Sequence, residues 1–330
     1  MNLAIVILNW NGRHLLEQFL PSVVEFSKDQ ARLYVADNAS TDDSLVYLKD
    51  NFPDIEIIKN KENYGYATGY NQALKQVNAD VFILLNSDIE VTKNWLTPII
   101  DHFSTHPNTA AIQPKILDYK NKTHFEYAGA AGGFIDKYGY PYCRGRLFNT
   151  LEKDEGQYND TAKIFWASGA CLAIRANIFN DLKGFDDDFF AHQEEIDLCW
   201  RIKHLGKDIV YIGASTIYHI GGATLKKSSP RKTFYNFRNG LFMLTKNLSH
   251  DLWRILFIRL LLDGIAGIHF LFQGKPMHCL AIIKAHFSFY AGFTKMRRKK
   301  IRKHKKQRYY LTVSIIWKYF IEKRKTFVDL

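Results

Sequence analysis

The stretch Phe82-Ile83-Leu84-Leu85-Asn86-Ser87-Asp88 runs from side chains fit for a buried strand straight into a carboxylate. A carboxylate there can hold a divalent cation, because Mg2+ and Mn2+ take carboxylate oxygens and keep positions open for substrate phosphates. Three other apolar runs end on similar chemistry: Asn9-Trp10-Asn11-Gly12, Asp37-Asn38-Ala39-Ser40-Thr41-Asp42 and Asn63-Tyr64-Gly65. Turn-making and helix capping account for Ser40, Asp42 and Asp43 ahead of a helix. Four polar ends together point to a ligand. A second centre is AHQEEIDLCWR at 191–201. On a helix, Leu198, Cys199, Ile202 and Leu205 form an apolar arc, and Glu194, Asp197, Arg201 and His204 fall opposite, on a face that solvent explains. Glu195 falls inside the apolar arc, where a carboxylate is costly unless partnered, so it is read as functional.

Elements must place these residues. LAIVIL (3–8), RLYVA (32–36), IEIIK (55–59) and DVFILL (80–85) read as strands, with helices near 13–26, 42–51 and 66–78. This alternation predicts an α/β fold with a mostly parallel central sheet, and in such sheets ligands sit beyond the carboxyl ends of the strands. The later chain is more mixed: a Gly-rich AGAAGG (128–133), a strand-like IFWASGACLAI (164–174), a helix near 194–205, and strands IVYI and TIYHI. The first strand is not followed by G-x-G-x-x-G, and no G-x-x-x-x-G-K-[ST] loop is present, which argues against a dinucleotide or P-loop site. A diphosphate would instead need a cation, and Asp88 is placed to hold it.

The 330 residues carry a net charge of +12, unevenly distributed. Residues 231–330 hold 22 Lys/Arg and 4 Asp/Glu, or +18, leaving −6 for residues 1–230. An acidic body with a basic appendage is expected to meet a polyanion. LWRILFIRLLLDGIAGIHFLF (252–272) is apolar but interrupted by Arg254, Arg259, Asp263 and His269, which disfavours an isolated spanning helix. CLAIIKAHFSFYAGF (279–293) follows, then KMRRKKIRKHKKQRYY (295–310), with ten Lys/Arg in sixteen residues. Amphipathic helices, a polybasic run and Tyr309, Tyr310 and Trp317 suit an anchor on an anionic membrane surface. Since no recognised nucleic-acid-binding motif accompanies the charge, no nucleic-acid partner is expected. The four cysteines form no C-x-x-C pair and the N-terminal apolar run stops after Leu8. A reducing, cytoplasmic setting follows, peripheral on the cytoplasmic face of the membrane.

VILNWNG, VADNASTDDS, NYGYATGYNQAL, LLNSDIEV, WASGACLAIR and GFDDDFFAHQEEIDLCWR, in this order over residues 1 to 240, together resemble glycosyltransferase family 2, in particular its bacterial rhamnosyltransferase-like and galactofuranosyltransferase-like members. The resemblance implies a GT-A fold in 1–240, with 241–330 as a helical, polybasic, membrane-associating extension. It implies a nucleotide-sugar donor (UDP- or dTDP-linked), Mg2+ or Mn2+, inversion at the anomeric carbon, and a glycan or lipid-linked acceptor in cell-surface polysaccharide or lipid-linked glycan assembly. By the same resemblance Asp37 and Asn9 would line the nucleobase pocket, and Asn63, Gly65, Gly69 and Asn71 would lie near the nucleotide, although a turn and a closely packed helix would also explain Gly65 and Gly69. Asp88 would bind the metal, with Asn86 where most of the family has Asp. His219, with Gly221 and Gly222, matches an H-x-x-G element and would be a second metal or diphosphate ligand. Glu195 would be the general base, with Glu194 and Asp197 as alternatives. Trp166, Ser168 and Gly169 resemble the acceptor-side loop, although Trp166 could equally be a core aromatic. The competing reading is a catalytically silent module that binds anionic lipid or nucleic acid. A nucleotidyltransferase would want a basic Gly-rich loop near residue 12, which is missing.

Overall fold

The computed structural model describes residues 1–221, 229–300 and 308–330. Gly222 and residues 301–307 of the polybasic run lie outside the described residues. The chain opens with β1 (Leu3–Asn9), α1 (Arg13–Ser27), β2 (Arg32–Asp37), α2 (Ser44–Asn51), β3 (Glu56–Lys59), α3 (Gly65–Leu74) and β4 (Val81–Asn86). These strands pair in parallel in the order β3-β2-β1-β4. Side chains alternate across a strand, so β1 feeds two cores: Leu3, Ile5 and Ile7 pack with Leu16, Leu20 and Val23 of α1, and Ala4 and Val6 pack with Ala67 and Tyr70 of α3. Burial on both faces is why β1 and β4 read as continuous apolar runs.

The second half is mixed. It comprises β5 (Ile89–Val91), α4 (Thr97–Thr105), β6 (Thr109–Asp118), the short strands β7 (Gly133–Ile135), β8 (Pro141–Cys143), β9 (Arg146–Leu147), β10 (Thr150–Leu151) and β11 (Thr161–Lys163), then β12 (Cys171–Arg175), α5 (Ala176–Asp181), α6 (Glu194–His204) and β13 (Asp208–His219). β12 inserts antiparallel between β4 and β6, and β13 lies parallel to β6. β7 to β10 form a separate antiparallel sheet. The strand-like run at 164–174 narrows to β12, because Trp166 to Gly169 make a loop above it. The two expected strands at 209–220 are one, β13, with a register shift between Ile212 and Thr216.

Three helices follow: α7 (Pro230–Asn247), α8 (Leu252–Phe272) and α9 (Pro276–Arg298). α7 runs unbroken through residue 240, so the division expected there falls inside a helix. The C-terminal residues return to the body: Ile315 N donates to Asp136 Oδ2 (3.0 Å), and Phe327 packs against Phe134 and Tyr142. Tyr309, expected at a membrane, instead lies against Trp200 and donates its hydroxyl to Lys137 O. α8 is the one described helix long and apolar enough to cross a membrane, by length and composition. Its interior charges do not interrupt its outer face. Arg259 and Asp263 are buried, paired at 2.8 Å, and tied to the β7–β8 turn through Tyr138 O and the Tyr140 hydroxyl.

Candidate active site

The ends of β1 and β2 form one polar unit. Asn9, fully buried, donates to Asp37 Oδ1 and Ser40 Oγ (both 3.2 Å), and Asp37 Oδ2 accepts from Ser40 N (2.9 Å). Asn9 Oδ1 has no hydrogen-bond partner although buried, the kind of acceptor a donor molecule would satisfy. Asp42, rather than Asp43, does the capping, accepting from Arg13 N ahead of α1 and from Ser44 N ahead of α2. Asn38 and Asn60, which pattern reading passed over, tie this edge to α3: Asn60 donates to Asn38 Oδ1 (2.7 Å) and Asn38 donates to Gly65 O (2.9 Å). Asn63 Oδ1 accepts from Gly65 N, and Gly65 has φ +71° with Phe190 where a side chain would go. A Cβ on Gly69 would stand 2.8 Å from Asn38 Nδ2, so that glycine serves close packing. Asn71 is engaged on both sides of its amide by Phe185 N and O and by Asp187. It therefore pins the 185–187 segment instead of pointing a free amide at a nucleotide.

Pairing of β5 with β13 sets His219 opposite Ile89 and so brings it to Asp88. His219 Nε2 lies 3.1 Å from Asp88 Oδ1 and 3.5 Å from Asn86 Nδ2. On its other side His219 Nδ1 lies 3.3 Å from Oε2 of Glu126, a buried carboxylate that also accepts from Ala128 N. Burial alone would lower the His219 pKa, but Asp88 and Glu126 together raise it to about 10. Glu126 escaped sequence reading because it sits ahead of a Gly-rich turn with no periodicity to mark it. Among the described residues no group of three His, Cys, Asp or Glu side chains forms a ready cation cage. Asp88 nevertheless fits a hard divalent cation that completes its shell with substrate phosphate, and His219 would join it by giving up the proton that Asp88 and Glu126 stabilise. With Nδ1 facing Glu126, Nε2 is the nitrogen left for a metal.

The loop expected on the acceptor side, Trp166 to Gly169, precedes β12. Ser168 Oγ donates to Ala128 O (2.7 Å), Ser168 N to Gln113 Oε1 (2.8 Å), and the Tyr66 hydroxyl to Gly169 O (2.7 Å). Trp166 is a core aromatic: it is buried, its indole N–H donates to Phe134 O, and Gly133 lies flat against its ring.

The three acidic residues of α6 differ sharply. Asp197 is wholly buried and engaged by Arg201 Nε, Lys246 Nζ and Asn247 Nδ2, each at 2.8 Å. Burial raises its pKa, but Lys246 and Arg201 outweigh that and hold it below the ordinary carboxylate range. It is a structural ion, not a base. The solvated face expected for Glu194 and Asp197 does not exist, because α7 covers it with Lys246 and Asn247. Glu194 is buried, with one oxygen lacking a partner, and its pKa is driven far up by burial and by the Glu195 charge. Glu195 is half-buried, its Oε2 has no hydrogen-bond partner, and burial lifts its pKa to about 7. The Cys143 thiol, pushed up by burial, also feels the charges of Glu126 and Glu195. A cavity of about 260 Å³ lies at the far end of α6, among Trp200, Lys203, His204 and Tyr309, away from these carboxylates.

Known proteins resemble this chain in sequence and fold. A chain of Mycobacterium tuberculosis (strain H37Rv), an N-acetylglucosaminyl-diphospho-decaprenol L-rhamnosyltransferase, is 25% identical over 235 residues, covering 66% of this chain and 75% of its own. A mannosyltransferase of Pyrobaculum calidifontis in complex with GDP-Man and Mn2+ superposes with a TM-score of 0.55 at 13% identity, covering 88% of this chain and 87% of that one. GalNAc-T7 with UDP, GalNAc and Mn2+ superposes at 0.57 with 17% identity, covering 74% of this chain, which spans under half (47%) of GalNAc-T7. These likenesses establish the GT-A fold. The model of glycosyl transferase family 2 matches residues 4–183. Since that match spans more than half of it, the chain belongs to glycosyl transferase family 2, the nucleotide-sugar-dependent transferases of glycan and lipid-linked glycan assembly.

Proposed function

We propose that the protein transfers a sugar, with inversion, from a nucleoside-diphosphate donor to a hydroxyl of a lipid-linked glycan at the cytoplasmic membrane surface. The observation that carries this reading is the contrast among three carboxylates within four residues. Asp197 is locked in ion pairs, Glu194 is buried deeply enough to favour its neutral form, and Glu195 alone combines partial exposure, an unpartnered oxygen and a pKa near neutrality. A general base works best when its pKa lies near the working pH.

Asn9, Asp37 and the Asn38–Asn60 brace receive the nucleoside. Asp88 and His219 would hold Mg2+ or Mn2+, and the ion supplies neutralisation of the donor diphosphate and of the departing nucleotide. Glu126, beside Nδ1, would keep the His219 ring turned with Nε2 toward Asp88. Glu195 takes the proton of the acceptor hydroxyl as its oxygen attacks the anomeric carbon opposite the leaving diphosphate. The Ser168–Gly169 loop and Tyr66 shape the acceptor side. A lipid-linked acceptor and a membrane setting are supported by the decaprenol-linked activity of the mycobacterial relative and by the outward apolar faces of α8 and α9.

The test is a panel of UDP-, dTDP- and GDP-linked sugars, each with Mn2+, Mg2+ or chelator, read by thermal shift and by transfer to a prenyl-diphosphate-linked sugar. One donor class should stabilise the protein in a metal-dependent way and support transfer. Failure of every nucleotide sugar to bind, with vesicle binding intact, would instead favour a silent lipid-binding module.

A further inference from the structure

The segment that delivers the acidic turn into the site has an unusual backbone. Phe190, His192 and Gln193 all have positive φ (63°, 69° and 71°), a region that L side chains enter at a cost. Gln193, left-handed, is the residue from which α6 begins, so the directions of Glu194 and Glu195 depend on this strained turn. Such a backbone persists only where its surroundings over-determine it.

α7 supplies those surroundings. Asn239, wholly buried, donates its side-chain amide toward three carbonyls: Phe189 (3.0 Å), Ala191 (3.0 Å) and His192 (2.7 Å). Arg238 Nε donates to Asn239 Oδ1 (2.9 Å), orienting that amide, and Arg238 NH2 reaches the carbonyls of Asp188 (3.1 Å) and Phe189 (3.2 Å). Gln193 Nε2 donates to Asn236 O (3.3 Å) one turn back on α7. From the opposite side, Tyr66 N at the start of α3 donates to Phe190 O (3.2 Å). Each carbonyl from Asp188 to His192 therefore has a donor, and all but that of Phe190 receive it from two adjacent α7 side chains. α7 is held at the same level, because a Cβ on the next residue, Gly240, would stand 3.0 Å from the buried Arg259 guanidinium of α8. An asparagine inside a helix is a poor helix former. Here its amide serves a neighbouring loop.

We propose that Arg238 and Asn239 are positioning residues of the transfer reaction, latching the 188–193 backbone so that the α6 carboxylates enter the site in one fixed direction. The inference rests on Glu195 being the base. The latch also governs how much water reaches that carboxylate. The groups around Glu195 are Glu194 on α6, Lys232 on α7, Tyr66 on α3, Cys143 on β8 and Cys199 one turn along α6. A loosened turn hydrates the carboxylate, lowers its pKa from about 7, and moves the acidic limb of the kcat–pH profile to lower pH.

The experiment compares Asn239→Ala and Arg238→Gln with wild type and with Glu195→Gln in the full chain. It measures donor Kd, kcat across pH 5–9 per folded molecule, and thermal midpoint. At neutral pH kcat should fall about 10- to 100-fold for Asn239→Ala and several-fold for Arg238→Gln, in line with the cost of a misplacement of about 1 Å. Donor Kd should stay within about 2-fold, and the acidic limb should shift downward. Arg238→Gln, only partly buried, carries the test if Asn239→Ala does not fold. If Glu195→Gln removes the limb while both latch variants keep it in place with full kcat, or lose donor binding in step with kcat, the positioning role is overturned. If Glu195→Gln itself keeps the limb, the base assignment is what fails.

Discussion

At the scale of single residues, chemistry here is decided by who else touches a carboxylate. Glu195 and Asp197 are two positions apart, yet one is the proposed base and the other a buried counter-ion, because only Asp197 meets Arg201, Lys246 and Asn247. Replacing Glu195 by Gln keeps shape and removes the proton acceptor, so kcat should fall by roughly 10²- to 10⁴-fold with donor affinity nearly unchanged. Glu195→Asp should retain more activity than the amide but draws the carboxylate back by one methylene. Stopped assays of the two, beside Glu194→Gln, settle the assignment: an inactive Glu194→Gln with a near-normal Glu195→Gln would move the base to residue 194. On the donor side, Asp88→Asn should abolish the metal-dependent part of donor binding with the fold intact, and normal Mn2+-dependent turnover in that variant would remove Asp88 from the metal centre. Glu126→Gln tests the residue behind the histidine. Loss of the carboxylate that orients a metal-binding imidazole costs about 10- to 100-fold in metal affinity, measurable as the Mn2+ concentration needed for half-maximal donor binding.

At the scale of elements, α6 is a helix whose polar face is largely buried, with Glu195 left partly exposed, and the reason is α7. Lys246 joins Asp186 and Asp197, while Lys295 of α9 reaches Asp188 and Lys299, just past its end, reaches Asp186 and Asp188. Asp197→Ala leaves Lys246 and Arg201 facing a buried gap and should destabilise the protein by about 3–5 kcal/mol, read as a lowered denaturation midpoint. The folded-state pKa values of Asp186 and Asp197 both lie below the ordinary range: burial pushes each upward, and the lysine and arginine charges more than offset it. Their stabilisation is therefore present above the unfolded carboxylate pKa near 4 and is lost as pH falls through the depressed folded values. Acid unfolding of wild type, set against Asp197→Asn, should show a weaker dependence on pH below 4 in the variant. The same helix marks how far sequence carries. β1 to β4 and α1 to α3 were legible to within a few residues, because a strand buried on both faces is an apolar run and each is followed by a periodic helix. The edge that holds Asn9, Asp37 and Asp88 follows from that topology. What periodicity could not supply was the partner of α6: a moment separates polar from apolar faces, but not a polar face met by water from one met by Lys246 and Asn247. Glu126 and Asn239 were invisible for the same reason, since their roles lie wholly in contacts across 93 and about 50 residues of chain.

For the whole molecule, α8 carries apolar side chains outward and buries a charge pair inward. On α8 the residues Trp253, Phe257, Leu261, Ile265, Ile268 and Phe272 follow one another at steps of three or four and are all exposed, while the Arg259–Asp263 pair faces inward. Leu280, Ile283, Phe287 and Tyr290 continue the exposed stripe on α9. Contiguous apolar surface of this kind marks an interaction site, and the surrounding region carries +18 of charge, which suits an anionic leaflet. Truncation at residue 295 is a poor test, because it also removes Lys295 and Lys299 from the loop that feeds α6 and strips Phe327 from the β7–β10 sheet. The cleaner variant is the triple substitution Phe257→Ser, Leu261→Ser and Ile265→Ser. These side chains are already in water, so stability should change little, by about 0.5 kcal/mol or less per site. Membrane affinity should fall at least 100-fold, since each large apolar side chain withdrawn from water contributes about 1.5–3 kcal/mol. Sedimentation with vesicles of phosphatidylserine and phosphatidylcholine reads both terms. Raising salt from 0.15 M to 1 M shortens the screening length from about 8 Å to about 3 Å and should release only the electrostatic part of binding, leaving an apolar remainder that the triple variant lacks. Wild-type protein that ignores these vesicles, or a triple variant that sediments as fully as wild type, would remove the membrane from this account and leave the stripe to a protein partner.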